Sequence, residues 1–204
     1  MKKTVFSVFT QDHNNCVPIA LIKAAVDKFG LYGVFKKVHY QNNSIRVLMR
    51  NNRSITIANQ EYSKIIEGSF IKWLIKAADI KPATVAMMNQ VLLLYAVMIK
   101  CGTKIGFIYE NGEVESMTLK ESLYCITKEG LCADHAHRYL GLKRKKIEDF
   151  DKNSIGKIPA KGVLAYNEHH TVAVRNRCFD HYGSLSSLKK DPNDEALCWY
   201  YQLI

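Results

Sequence analysis

The order of periodic segments constrains this chain most. Helical spacing of apolar residues dominates the first half, and short strand-like runs with turn signals dominate the second. Helices and strands do not alternate regularly, so the expected class is α+β and not a doubly wound parallel sheet. The chain has 204 residues, enough for one compact domain or at most two small ones. Four prolines and eleven glycines mark no long linker, and the whole chain is expected to fold. We find no internal repeat and no low-complexity segment.

Thr4 to Phe9 is apolar enough for a short first strand or an extended lead-in. Val17 to Phe29 has helical spacing: Leu21, Ala24, Ala25 and Phe29 share a face, Lys23, Asp27 and Lys28 lie off it, and Gly30 is the expected stop. Val38 to Tyr40 starts a strand. Ser44 to Met49 and Ser54 to Ala58 read as a hairpin with Ile45, Val47, Met49, Ile55 and Ile57 on one face. Glu61 to Ala78 reads as one or two helices, broken by Pro82. Thr84 to Ile99 is the most apolar stretch. It is shorter than the 18–20 residues that span a bilayer, so a buried helix packed on a sheet is expected, with no membrane span. Glu110-Asn111-Gly112-Glu113 marks a second hairpin. Lys120 to Tyr124 and Cys132 to Leu140 are expected helical. Val163 to Tyr166, His169 to Val174 and a segment starting at Cys178 are expected strands, and the tail from Ala196 to Ile204 a closing one.

Against this background Gln11-Asp12-His13-Asn14-Asn15-Cys16-Val17-Pro18 stands out. A polar run ends in Cys16 where the apolar helix begins. Asn14 or Asn15 can cap that helix, and Pro18 is tolerated in its first turn. Free amide groups and the positive end of the helix dipole are expected to lower the Cys16 thiol pKa. Gln11 can return a side-chain amide to the same place. Cys16 is therefore a candidate nucleophile and Gln11 a candidate oxyanion donor.

A nucleophile of this kind needs a base. His169-His170-Thr171-Val172-Ala173-Val174 places a histidine at the head of an apolar strand. After the turn Arg175-Asn176-Arg177 comes Cys178-Phe179-Asp180. Two adjacent antiparallel strands of this length can bring His170 beside Asp180. Strand parity sets His170 with Val172 and Val174, and His169 with Thr171 and Ala173. If the valines face the core, His170 is the base; His169 is the alternative. Asn176 and Asp12 are further candidates for orienting the imidazole.

Gln, a short spacer, Cys at a helix start, a late His heading an apolar strand and an Asp after the next turn together resemble the papain-like cysteine peptidases. The bacteriocin-processing peptidases of peptide exporters and the Josephin-type deubiquitinases are nearest. The similarity covers about residues 11–30 and 125–185, including Gly130-Leu131, Leu140-Gly141-Leu142, Ile158-Pro159, Gly162 to Tyr166 and Phe179-Asp180. It implies a papain-like α+β fold, with a helical half bearing the nucleophile helix packed on a C-terminal antiparallel sheet. It implies one domain over residues 1–204, with residues 31–124 as an enlarged insert. It further implies Cys16 as nucleophile, His170 as general base, Asp180 as orienter and Gln11 as oxyanion glutamine. The reaction it implies is hydrolysis of a peptide or isopeptide bond through a thioester, without cofactor.

The formal charge of +10 is concentrated at Lys143-Arg144-Lys145-Lys146, Lys36-Lys37 and Lys189-Lys190. The first cluster is read as a solvated helix end or loop, or as a patch for an acidic protein partner. Nucleic acid is not expected as the primary partner, since many soluble proteins carry such a basic surface; Trp199, Tyr200 and Tyr201 are read as packing and not as a base-stacking platform, because Asp191, Asp194 and Glu195 precede them and repel phosphate. Six irregularly spaced cysteines and no signal peptide indicate free thiols and a cytoplasmic setting. Cys132, His135 and His137 do not complete a four-ligand zinc set, so no metal is expected. The rival readings are a papain-like amidase or acyltransferase with a small substrate, and a catalytically inactive papain-like or basic interaction protein binding an acidic protein or nucleic acid.

Overall fold

The computed structural model describes residues 4–12, 14–147, 156–188 and 197–204, and counts of elements and partners refer to these residues. His13, Lys189-Lys190, Asp191, Asp194, Glu195 and Ala196 lie outside them. The architecture mixes helices with antiparallel sheets, in keeping with α+β.

The chain opens on a single helical turn, α1 (Val5–Val8), before β1 (Phe9–Gln11). The strand-like apolar run is thus half helix, because the Ser7 hydroxyl and the Thr4 backbone close a turn on each other. Helix α2 (Cys16–Phe29) stops at Gly30, whose φ of 79° is a left-handed conformation that favours glycine. Strands β2 (Lys37–Tyr40), β3 (Ser44–Leu48) and β4 (Ser54–Ala58) form a three-stranded antiparallel sheet with the expected hairpin. Helix α3 (Asn59–Glu67) follows.

The expected continuation of helix through Trp73 does not occur. Phe70 takes a left-handed φ of 47°, and β5 (Ile71–Trp73) pairs antiparallel with β1. That pairing joins residues 60 to 64 positions apart, which local periodicity does not register.

Helix α4 (Pro82–Ile105) is longer than its apolar core, with Pro82 in its first turn and Gly106 as its stop. Its 24 residues are enough, by length and composition, to cross a membrane, so the length argument against a span fails. About 56% of its most apolar window is buried inside the structure, against α2, α3, β4 and the next helices. Strands β6 (Phe107–Ile108) and β7 (Val114–Glu115) make the Asn-Gly hairpin. They are followed by α5 (Leu119–Tyr124) and a π-helical turn at Cys125–Glu129. Helix α6 (Ala133–Ala136) continues as a 3-10 turn to Leu140, closed by Gly141.

The remaining strands are β8 (Arg144–Ile147), β9 (Val163–Tyr166), β10 (Thr171–Arg175), β11 (Cys178–His181), β12 (Ser184–Ser187) and β13 (Trp199–Leu203). They form a six-stranded antiparallel sheet in the order β12-β11-β10-β9-β13-β8. The basic run from Lys143 is therefore an edge strand, not a helix end or loop. The β10–β11 turn uses Asn176 and Arg177, both at positive φ, as a two-residue hairpin requires. Ala173, Leu164 and Tyr201 lie in register across three strands and share the main core with Leu21, Ala24 and Ala25 of α2. Val172, Val174, Val163, Ala165, Phe179 and Tyr200 form a second cluster on the sheet's other face.

Two polar side chains of α2 set its rotation on this sheet. Lys23 and Asp27, expected off the core face, are buried: the Lys23 side chain is 0% and the Asp27 side chain 3% exposed. Lys23 Nζ binds Asp180 Oδ2 of β11 at 2.6 Å and the Phe6 carbonyl at 3.3 Å. Asp27 pairs with Arg175 of β10 at 3.3 Å and accepts the Gly162 N–H at 3.2 Å. Being one helical turn apart, the two residues pin α2 to two adjacent strands.

Candidate active site

Cys16 and Gln11 are held to the same short segment. Asn15, at the cap position of α2, is fully buried but does not cap the helix with its side chain. Its side-chain oxygen accepts the Asp12 N–H at 3.3 Å, and its amide donates to the Phe70 carbonyl at 3.1 Å. Gln11, at the end of β1, lies opposite Ile71. The left-handed turn at Phe70 thus anchors the loop before Cys16, while the strand that follows anchors Gln11.

Gln11, Cys16, His170 and Asp180 line one small cleft, with Thr10, Ile19, Ala20, Thr171, Val172 and Tyr182. His169 lines only the wider groove beyond it. The valines of the parity argument, Val172 and Val174, are buried in the core, in the second cluster on the sheet's other face. His170 still reaches the cleft because it precedes the first paired residue, Thr171. There Asn167 accepts the backbone N–H groups of both His169 and His170 and turns the chain. Tyr182 stacks on the His170 ring, with centroids 6.2 Å apart and planes at 22°. Among the other orienter candidates, Asp12 and Asn176 do not line the cleft.

Asp180 is not devoted to His170. One oxygen takes the Lys23 ammonium, and the other accepts the Gly183 N–H at 3.1 Å, closing the turn into β12. Burial raises the Asp180 pKa, opposed first by the Lys23 charge and last by that of His170. Burial likewise lowers the Lys23 pKa, opposed by Asp180. The carboxylate is thus shared between the Lys23 ammonium, the turn at Gly183 and the charge of His170. Lys23 and Tyr182 were missed as site residues: a lysine inside an apolar helix is the one signal the sequence carried for the first, and none pointed to the second.

The Cys16 thiol also differs from expectation. Burial pushes its pKa up, more than the backbone N–H groups of Thr171, Val17 and Cys16 itself pull it down. Helix-end amides do act on the sulfur, yet desolvation dominates. A thiolate here needs the positive charge of a neighbouring imidazolium.

The wider groove, about 920 Å³, passes Cys16 and His170. It is lined by Asn14, the segment from Glu129 to Asp134 and that from Tyr166 to Thr171, with Phe107, Tyr109 and Trp199. Gly130, at φ 94°, lets the chain approach the Asn14 carbonyl, which a Cβ would meet at 3.3 Å. Among the described residues no three His, Cys, Asp or Glu side chains gather in a metal-binding arrangement.

His137, beside that groove, is a partly buried histidine with a stability consequence. Burial, Arg144 and Arg138 lower its pKa from 6.5 to about 4. Between these values the unfolded chain takes up a proton that the folded chain refuses, so stability is lost as pH falls from 6.5 towards 4. With solvent screening of this partly exposed ring, the loss from this residue is about 1–2 kcal/mol. Urea unfolding of wild type and His137→Gln from pH 7 to 4 is expected to show the difference between them shrinking by that amount. Parallel profiles contradict it.

Comparison of the chain with protein-family models, curated proteins and solved structures finds no match in any of the three.

Proposed function

We propose that the protein is a papain-like cysteine peptidase that hydrolyses a peptide or isopeptide bond. The observation that carries this reading is the convergence of Gln11, Cys16, His170 and Asp180 on one cleft from segments up to 169 residues apart in the chain. Four residues chosen for complementary chemistry rarely share a cleft by chance.

In the proposed reaction His170 takes the Cys16 proton, and the thiolate attacks the scissile carbonyl carbon, forming a C–S bond. The resulting oxyanion accepts hydrogen bonds from the Gln11 amide and the Cys16 backbone N–H. Collapse breaks the C–N bond, and the leaving amine takes the proton from His170. Water then gives a proton to His170 and attacks the thioester. The second collapse releases the carboxylic acid and returns the thiol. Asp180, paired with Lys23, stabilises the imidazolium form of His170 between these steps.

The wide groove lined by both Cys16 and His170 leaves room for a peptide chain beyond the small cleft, which favours a peptide over the small molecule of an amidase or acyltransferase. The test is incubation with a complex peptide mixture, read by mass spectrometry. New termini are expected with wild type and not with Cys16→Ala. Identical mixtures after both incubations favour the inactive reading, in which Lys23 and Asp180 serve structure alone.

A further inference from the structure

We infer that the solvent face of the β2-β3-β4 sheet is a phosphate-binding surface for a nucleic-acid backbone, separate from the Cys16 cleft. The alternation of these strands divides the residues cleanly. Val38, Ile45, Val47, Ile55 and Ile57 point inward. The outer face carries two cross-strand rows, Lys37–Leu48–Ser54 and His39–Arg46–Thr56. A depression of about 290 Å³ lies on this face, lined by Lys37, His39, Gln41, Arg46, Leu48 and Ser54.

The charge here comes from missing carboxylates rather than from added cations. Residues 28–60 hold six lysines and arginines (Lys28, Lys36, Lys37, Arg46, Arg50, Arg53) and no Asp or Glu. At the whole-chain frequency of 19 in 204, about three acidic residues belong in such a window. Among the described residues neither Lys37 nor Arg46 has a carboxylate partner; Arg46 Nε donates to Ser54 Oγ at 3.2 Å. The positive potential is thus not neutralised within the fold.

The donor set fits phosphate. An ammonium, a guanidinium, an amide, an imidazole and a hydroxyl surround one depression, and a phosphate group offers several acceptor oxygens to them at once. No Phe, Tyr or Trp stands in these two rows, so the contact is to the backbone rather than to stacked bases, and binding is independent of sequence. Leu48 is the one large apolar side chain there, too little to anchor the sheet in a lipid surface.

Fluorescence anisotropy of a labelled single-stranded oligonucleotide of about 20 nucleotides, titrated at salt concentrations from about 50 to 200 mM, tests this. Wild type is expected to bind with affinity falling steeply with salt. Lys37→Glu/Arg46→Glu is expected to weaken binding at least ~10-fold at the lowest salt and to make the log–log salt slope shallower by about 1–2. The milder Lys37→Gln/Arg46→Gln is expected to do the same to a lesser degree, should the reversal disturb folding. Lys72→Glu/Lys76→Glu, with the same change of net charge at exposed positions elsewhere, is expected to change affinity less than ~3-fold. No binding by wild type, or equal losses in the two reversed doubles, overturns the proposal. So does tighter binding of polyglutamate or of anionic vesicles with the same sensitivity to Lys37 and Arg46, which assigns the face to an acidic protein or a membrane. Cys16→Ala binds the oligonucleotide as wild type does, so failure of the peptidase reading leaves this result unaffected.

Discussion

Cys16→Ala is expected to lower peptide hydrolysis at least ~10⁴-fold while leaving the thermal midpoint within a few degrees of wild type. In the proposed mechanism the sulfur forms the only covalent bond to substrate, and removing a nucleophile of this kind costs about four to six orders of magnitude in kcat. The side chain is half-buried at the start of α2, and the neighbouring loop is held by Asn15 and not by the thiol. Losing one sulfur atom there costs about 1 kcal/mol of stability. Rates compared at saturating peptide, with urea unfolding of both proteins, separate the two effects. A residual rate above about a tenth of wild type would assign hydrolysis to another group.

The second large effect concerns stability. Lys23→Met is expected to destabilise the protein by about 3–5 kcal/mol, because it strands the buried Asp180 carboxylate without its counter-charge. Lys23 is fully buried and Asp180 is 8% exposed, so water cannot replace the lost ammonium. Asp180→Asn keeps an acceptor for the Gly183 N–H but strands Lys23 in turn. Lys23→Met/Asp180→Asn removes both charges and is expected to recover more than half of the summed losses. Urea unfolding of the three variants measures that coupling. Additive losses would mean that the pair contributes no mutual stabilisation. The same variants bear on catalysis: with the field of the ion pair gone, the pH dependence of the rate shifts even where the double variant is folded.

Much of this site was legible because its signals are local. The polar run into Cys16, the apolar spacing to Phe29 and the glycine that stops it lie within one window, and α2 spans Cys16–Phe29. The same holds for the hairpins and for the strand after His170. The misread parts depend on contacts far along the chain. Lys23 looks like a solvent-facing lysine until its partner, 157 residues later, is beside it. Ile71–Trp73 looks helical until β1 offers it hydrogen bonds. The direction of the Cys16 shift depends on how much of the protein covers the thiol, and helix-end position does not report burial. His170 was chosen on parity with two valines that are indeed buried, but in the second cluster, and the turn at Asn167 brings it to the cleft.

The central claim is that the Cys16 sulfur and the His170 imidazole work as a pair. The most direct measurement is the rate of Cys16 alkylation against pH, read by peptide mass mapping in wild type and in His170→Ala. Burial raises the isolated thiol above its ordinary value of 9.0, so His170→Ala is expected to label Cys16 only at strongly alkaline pH. In wild type an added reactive limb near neutral pH is expected, where an imidazolium supports the thiolate. Superimposable profiles in the two proteins, with Cys16 no faster than the other five cysteines, would contradict the pairing and with it the proposed catalysis.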